Sequence, residues 1–519
     1  MREGNISSAA AVHRWARVAG GTTAIVYEGT EISYAQLSAR VRRLAAVLAD
    51  GGLRRGDRVA YLGRNSALLL ETALAAAHLG VIFLPLSFRL SSDEVAFLLG
   101  DSGAHTLVVE DEQRALVDGI ADSVPVRRFL LDSAAEPAHP RWERLSAAAS
   151  PDRDDEPVHV READVALLMY TSGTTGRPKG ALLTHGNLWW NQVNTATAIE
   201  TRFRDPALVI APMFHIAGLS GFTMGTFAHG GTLVVRRAFN AEQCLEDLVA
   251  HRVANLIAVP TMFDAIARTP GFERADLSAL RAAIVGGAPV PDQLVRDYSA
   301  RGVKLQQAWG LTETAPLATY LPPQLVDGNP GSAGFPMPHT EIRLIDPTTG
   351  AAVTEPGEPG EICVRGPNVI SGYWNDPDAT RKAVDDAGWF RSGDIGHLDE
   401  QGHLYVVDRL KDVIISGGEN IYPAEIERLM AEFPGVREVA VVGVPHPKWD
   451  ETPVVVVCQD GAATLEEIRA FLGERLARFK LPTAVHHCDV LPRNGTGKVD
   501  KAGLRARLAG ELEPVAADR

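Results

Sequence analysis

Val165-Ala166-Leu167-Leu168-Met169-Tyr170 runs directly into Thr171-Ser172-Gly173-Thr174-Thr175-Gly176-Arg177-Pro178-Lys179-Gly180. An apolar run with no polar alternation fits a strand buried on both faces, as in a parallel sheet. The glycines that follow let the backbone turn tightly and aim successive N–H groups into one concavity, a nest for anionic oxygens. Thr171, Ser172, Thr174 and Thr175 add hydroxyl donors, and Lys179 adds a point charge. Together these suit nucleotide phosphates. The stretch is not GxxxxGK[ST], because Gly180 follows the lysine instead of preceding it. A Ser/Thr/Gly cluster alone is usually a surface loop. The buried strand ahead of it and the Arg-Pro-Lys-Gly end argue for a built site.

Outward from this junction the chain alternates helical and strand-like segments. Ser33–Asp50 places Leu37, Val41, Leu44 and Leu48 at helical spacing, and Gly51-Gly52 ends it. Short β-rich runs recur at 58–63, 207–212, 255–260 and 282–287, most closed by Gly or Pro. This is the texture of an α/β fold whose ligand loops lie at the carboxyl ends of parallel strands. From about Pro336, Gly and Pro become dense and the runs at 341–346, 361–366 and 403–408 look like hairpin strands. After Asp408-Arg409-Leu410-Lys411-Asp412 helices and strands alternate again. The expected organisation is a large α/β domain over 1–410, with a β-rich subdomain at about 336–410, and a small α+β domain over 411–519.

At 519 residues the chain is too long for one core. With 45% hydrophobic and 22% charged residues it is globular, which excludes a disordered chain or a disulfide scaffold. Its 51 basic against 65 acidic residues give −14, which argues against a nucleic-acid binder. Cys244, Cys363, Cys458 and Cys488 are scattered without a CxxC pair and read as reduced, structural thiols. The N-terminal stretch has no apolar core of the signal-peptide kind. The longest apolar run, 74–86, is broken by His78 and Gly80 and falls short of the roughly 20 residues that span a bilayer. The expected location is the cytoplasm, with no transmembrane segment.

The 171–180 segment is similar to the signature loop of the adenylate-forming (AMP-binding) superfamily, which includes acyl-CoA synthetases, 4-coumarate–CoA ligases, firefly luciferase and peptide-synthetase adenylation domains. Further motifs in the family's order extend the resemblance over nearly the whole chain. Its texture resembles bacterial fatty-acid–CoA and aryl-CoA ligases. The resemblance implies ATP and AMP contacts at Thr171, Ser172, Gly173, Thr174, Thr175, Gly176 and Lys179. It also places Gly287, Ala288 and Pro289 beside the adenine, in a turn that would otherwise read as a plain strand end. Gln307-Ala308-Trp309-Gly310-Leu311-Thr312-Glu313 resembles the next family stretch. There Trp309 would stack on adenine, Thr312 would donate to the α-phosphate, and Glu313 would ligate Mg²⁺. Asp394, on a Ser-Gly-Asp turn, and Arg409 would take the ribose.

The same resemblance makes Lys411 a hinge about which the small domain moves, and Gly417 and Gly418 the wall of a CoA channel. Lys498, in Pro-Arg-Asn-Gly-Thr-Gly-Lys, becomes the lysine that bridges carboxylate and α-phosphate. The acyl pocket would be lined by His215, Ala217, Gly286, Ala308, Gly310 and Leu317, with His215 gating it or meeting the carboxylate. Amino-acid-activating relatives carry an aspartate in this region. None occurs between Met213 and Phe222, so amino acids are disfavoured. Glycine at 310, where acetate-activating relatives have Trp, is expected to leave room for a larger acid. Ala217 stands where plant coumarate ligases have Tyr, which favours a medium or long aliphatic acid or another bulky one.

The implied reaction joins a carboxylic acid to AMP, releasing pyrophosphate, and then transfers the acyl group to CoA. Three alternatives remain open: an aryl-CoA ligase, an adenylate former that hands its product to a carrier protein or partner enzyme, and a non-catalytic nucleotide-binding module. A homodimer is compatible with all of them.

Overall fold

The computed structural model describes residues 4–133, 141–146, 155–171, 178–494 and 497–511. The buried apolar runs form two mostly parallel sheets. One has nine strands, in the order Phe335–Pro336, Leu317–Tyr320, Leu305–Gly310, Ala282–Gly286, Asn255–Ala258, Pro206–Val209, Thr232–Val235, Thr23–Tyr27 and Thr30–Ser33. Strands from Leu305–Gly310 to Thr23–Tyr27 are parallel, and the edges are antiparallel. The other has seven: Trp142–Arg144, Arg128–Asp132, Thr106–Glu110, Arg58–Leu62, Ile82–Leu86, Val165–Thr171 and Lys179–Thr184. Five further strands, from Glu341–Ile345 to Leu404–Arg409, form the β-rich sheet expected after Pro336. The C-terminal sheet pairs Val436–His446 with Asp450–Gln459, flanked by Ile414–Ser416 and Ala484–His487. Among the described residues no helix is long and apolar enough to cross a membrane.

By contacts the chain divides into two units, Met1–Ile342 with Cys363–Arg391, and Arg343–Ile362 with Ser392–Arg519. The 410/411 boundary expected from the sequence falls inside the second unit. A local cause is Asp408, whose carboxylate accepts the N–H groups of Arg409 and Ala424, both at 2.7 Å. That contact fastens the Leu404–Arg409 strand to the start of the Pro423–Met430 helix.

In the first unit the Tyr34–Asp50 helix forms as its pattern predicts. A capping box between Ser33 and Gln36 starts it, and Leu37, Val41, Leu44 and Leu48 are buried. It packs with the helices Ser8–Ala19 and Ala67–Leu79. At their junction His13, 1% exposed, joins Ser38 Oγ through Nδ1 (2.7 Å) and His78 Nδ1 through Nε2 (3.0 Å). Two neutral rings share one N–H here, and two imidazolium ions could not. Burial, with His78 and Arg42 nearby, holds the His13 pKa down at about 3, and burial lowers that of His78 too.

The unfolded imidazole takes up a proton near 6.5, which the folded one refuses. Stability is therefore complete above that pH and drains as pH falls toward the folded value. Down to a pH of about 4.5, His13 alone accounts for about 2–3 kcal/mol. In urea titrations across this window, His13→Gln is expected to flatten the pH dependence of the unfolding free energy by that amount. Parallel curves for the two proteins would contradict the assignment.

Candidate functional site

The strands Val165–Thr171 and Lys179–Thr184 pair antiparallel, with Thr171 opposite Lys179 as the last pair of the ladder. The two ends of the phosphate-type loop are thus held across one ladder rung. Ser172, Gly173, Thr174, Thr175 and Gly176 lie outside the described residues. A second segment lies along this hairpin: Leu182 N–H donates to Gly372 O (3.0 Å) and Trp374 N–H to Gly180 O (2.7 Å). Gly180 permits the approach, because a Cβ there would stand 2.7 Å from Leu168 Cδ1 and 3.2 Å from Trp374 Cβ.

This approach delivers Tyr373. Its hydroxyl donates to Glu313 Oε1 at 3.0 Å, and Thr171 Oγ1 lies 3.4 Å from the same oxygen. Burial, then the neighbouring Glu313, push the Tyr373 phenol well above its ordinary pKa, so it remains a donor. Lys179 Nζ stands 5.6 Å from the Tyr373 ring centre, a cation over a π face. Glu313 is only 7% exposed. It sits in the short 3₁₀ turn Thr312–Thr314 beyond the Leu305–Gly310 strand. Asn368 holds that turn by donating to Thr314 O (2.9 Å) and Leu317 O (3.1 Å). Ile370 N–H donates to Glu313 O (2.9 Å). Thr171, Lys179, Thr312 and Glu313 are therefore brought together, and Tyr373 joins them. Sequence reasoning missed Tyr373. The available signal was the Ser-Gly-Tyr-Trp-Asn-Asp-Pro stretch, whose aromatic pair sits among turn residues.

The residues expected on the adenine side lie on, or just beyond, neighbouring parallel strands, with Gly286 in register with Ala308. A Cβ at 286 would stand 2.5 Å from Ala308 O, and Gly287 has φ +81°. Ala288 and Pro289 are exposed, whereas Gln307 and Trp309 are buried. Gly310 differs from the sequence expectation. A Cβ there would collide with Pro316 O and stand 3.0 Å from Ala318 N. The missing side chain accommodates backbone from the Pro316–Ala318 stretch, including buried Leu317, so a larger residue would displace that stretch before it narrowed any pocket.

His215 is half-buried and follows Phe214, whose ring packs edge-on to Phe88 (5.5 Å) and tilted against His215 (4.4 Å). Ala217 opens a single wide turn of π-helix, Ala217–Gly221. Ser220 Oγ in that turn donates to Ala315 O (3.2 Å), which joins the His215 segment to the Glu313 turn.

In the second unit, Asp394 and Arg409 are opposite each other on paired strands, with Arg409 Nε 2.7 Å from Asp394 Oδ1. Gly393, at φ +69°, lies within the strand Phe390–Leu398 and not on the turn expected from the sequence, because this segment pairs with Leu404–Arg409; Asp394 N–H donates to Ser392 Oγ (3.0 Å). Lys411 is exposed in the 3₁₀ turn Leu410–Asp412. Gly417 (φ +61°) faces Trp449, 2.6 Å from where a Cβ would stand. Gly418 (φ +87°) has nothing within 4 Å of that point. The Lys498 turn is shaped by Asn494, whose N–H donates to Lys498 O (2.8 Å) and whose Oδ1 accepts the Lys498 N–H (3.1 Å).

The chain matches the AMP-binding enzyme family over residues 12–374 and the AMP-binding enzyme C-terminal domain over residues 425–498. It is 46% identical to a feruloyl-CoA synthase from an Amycolatopsis species, over 95% of this chain and 98% of that protein. It is 40% identical to the indoleacetate–CoA ligase of Aromatoleum aromaticum, over 96% and 97%. Among solved structures, o-succinylbenzoate CoA synthetase from Bacillus subtilis with its acyl-adenylate intermediate aligns with a TM-score of 0.85. Its identity is 32%, over 95% of this chain and 97% of that one.

Gly310→Ala is expected to cost about 3 kcal/mol or more in urea unfolding, from forced separation of the two backbones. The ratio of activities on long and short acids should stay within a few-fold of the parent's. A stable variant with a sharply shortened acid preference would restore Gly310 as a pocket wall.

Proposed function

The chain belongs to the AMP-binding enzyme family and is an acid–CoA ligase working through an acyl-adenylate with ATP, Mg²⁺ and CoA, and within that activity we propose that its acid carries an aromatic ring. The observation that carries this reading is the pair of near-full-length relatives, which are named for feruloyl-CoA and indoleacetate. Phe88, Phe214 and His215, packed ring against ring beside the Ala217 turn, are in keeping with an aromatic neighbour. The room for a larger acid expected at Gly310 loses its support, because that glycine answers to Pro316; the medium or long aliphatic acid read from Ala217 is the alternative.

The chemistry of Glu313 fits a Mg²⁺ ion. Among the described residues no three His, Cys, Asp or Glu side chains gather as a metal cage. Mg²⁺ that is held mainly by phosphate oxygens and waters needs one or two carboxylates. When bound, the ion neutralises charge on the phosphates as pyrophosphate departs. We assign the loop ends Thr171 and Lys179 to the phosphates, Trp309 and the Gly287–Pro289 turn to adenine, and Asp394 with Arg409 to the ribose. Lys498 neutralises charge at the attacking carboxylate and α-phosphate. A turn at Lys411 exchanges this lysine for the channel beside Gly418, where the absent side chain suits a pantetheine arm. A cytoplasmic setting suits an enzyme fed by ATP and CoA.

A panel of ferulate, indoleacetate, succinylbenzoate and octanoate, read as pyrophosphate release and CoA consumption, tests the substrate. The expected kcat/KM for the best aromatic acid exceeds that for octanoate by about tenfold or more, the worth of one or two well-filled ring contacts. A preference for octanoate overturns the reading. Pyrophosphate release without CoA consumption would point to a carrier-protein acceptor.

Lys498→Ala is expected to lower pyrophosphate release by about 10²–10³. Thioester formation from supplied acyl-adenylate should stay within a few-fold of the parent's. Equal losses in both half-reactions would place Lys498 in the fold and not in the adenylation step.

A further inference from the structure

Cys458 and Cys488 are 30 positions apart, and no motif links them. The fold sets them side by side. Cys458 is next to last in the Asp450–Gln459 strand, and Cys488 follows the Ala484–His487 strand, which pairs with it in parallel up to Val457 opposite His487. Cys488 N–H donates to Val457 O (3.1 Å), so the ladder continues one residue further. Adjacent strands lie roughly 4.8 Å apart, within the Cα span of about 4.4–6.8 Å that a disulfide bridges. The two Sγ atoms are 3.0 Å apart. Cys458 is 1% exposed, Cys488 is half-buried, and both belong to the small core that includes Leu491, Leu504 and Leu508.

We propose that Cys458 and Cys488 form a modification site, a dithiol that is oxidised to an intramolecular disulfide by a small-molecule disulfide of the glutathione class. Cys488, the more exposed of the two, loses its proton to solvent and attacks one sulfur of the small disulfide. That S–S bond breaks and one thiolate leaves, giving a mixed disulfide at Cys488. Cys458 then loses its proton, attacks Cys488 Sγ and displaces the second thiolate. Two cysteine thiols are oxidised and one small disulfide is reduced to two thiols.

Burial and the neighbouring Cys458 push the Cys488 thiol up to about 12, with Arg507 opposing and Glu438 adding to the shift. The first attack is therefore slow near neutrality. The new bond ties the start of the segment leading to Lys498 onto the central strand of its sheet. That segment is otherwise held by the Arg493–Glu438 ion pair and the Arg493–Val499 bridge. Neither cysteine belongs to the site described above, so this inference stands or falls separately from the substrate reading.

The test takes the full chain, reduced and then freed of reductant, and incubates it for hours with excess glutathione disulfide in mildly alkaline buffer. Acid quenches the exchange, guanidinium unfolds the protein, and free thiols are counted before peptide mapping by mass. The expected result is a fall from four thiols to two, with one cross-linked peptide pair holding Cys458 and Cys488. Dithiothreitol should restore all four. Cys458→Ser should stop at a glutathione adduct on Cys488, and Cys488→Ser should keep its remaining thiols. The proposal is overturned if the parent keeps four thiols, if its Cys488 adduct never resolves, or if the cross-link involves Cys244 or Cys363.

Discussion

A carboxylate removed from water has to be met by donors or a cation, since an unpaired buried charge costs several kcal/mol. Glu313 is such a carboxylate, and much of the first unit is arranged to meet it. Tyr373 reaches it only because the segment around Gly372 is laid along the Lys179–Thr184 strand. That approach in turn needs Gly180 to have no side chain. Thr171 reaches it from the other strand of the same hairpin. The hairpin whose strands end at Thr171 and begin at Lys179 therefore carries one donor to the Glu313 carboxylate and docks the segment that carries the other. The strand ends at Thr171 and Lys179 and the Glu313 carboxylate are placed by one set of hydrogen bonds.

The second constraint is how close the backbones come at the carboxyl ends of the central strands. Gly286 and Gly310 both sit where a Cβ would strike main chain, from Ala308 and Pro316 respectively. Read from the sequence, Gly310 is a vacancy offered to a substrate. In the fold the same position is filled by protein. A clash with main chain decides in favour of the second meaning, because a peptide group fixed by neighbouring hydrogen bonds cannot rotate away as a side-chain tip would. Asn368 donates to Thr314 O and Leu317 O, on either side of Pro316. Specificity is thus more readily written on the facing turn, where His215 and Phe214 have side chains with room to differ.

Local order was legible in the sequence. Ser33 with Gln36, the 3.6-residue spacing after them, and the unbroken apolar runs at 165–170 and 282–287 each specify their own element. Asp394 and Arg409 are expected from the sequence to act together, and the fold shows that they touch. What remained hidden depends on partners far along the chain. Tyr373 gains its meaning from Glu313, 60 positions away, and Cys458 from Cys488, whose strands become neighbours only when the sheet is assembled. No periodicity records which of several strands will pair. The break in composition after Asp408 marks a change of texture, whereas the compact-unit boundary lies earlier, because packing follows contacts and not composition.

The helix Pro423–Met430 shows how such contacts could govern motion. Its N-cap residue, Tyr422, makes no side-chain cap hydrogen bond. Asp408, 16 positions earlier, accepts the Ala424 N–H instead and serves as a remote cap. Burial raises the Asp408 pKa, while the two N–H groups it accepts and the charge of Lys501 pull it back down. A turn at Lys411, between carboxylate and helix, as the proposed exchange of half-reactions requires, would break this cap. Losing a cap costs about 1 kcal/mol, and a carboxylate that regains water recovers part of its desolvation. The net cost is small beside the binding energy that a nucleotide or CoA can supply. Asp408 is thus suited to hold one arrangement without trapping it, which is the balance that two successive reactions on one adenylate demand.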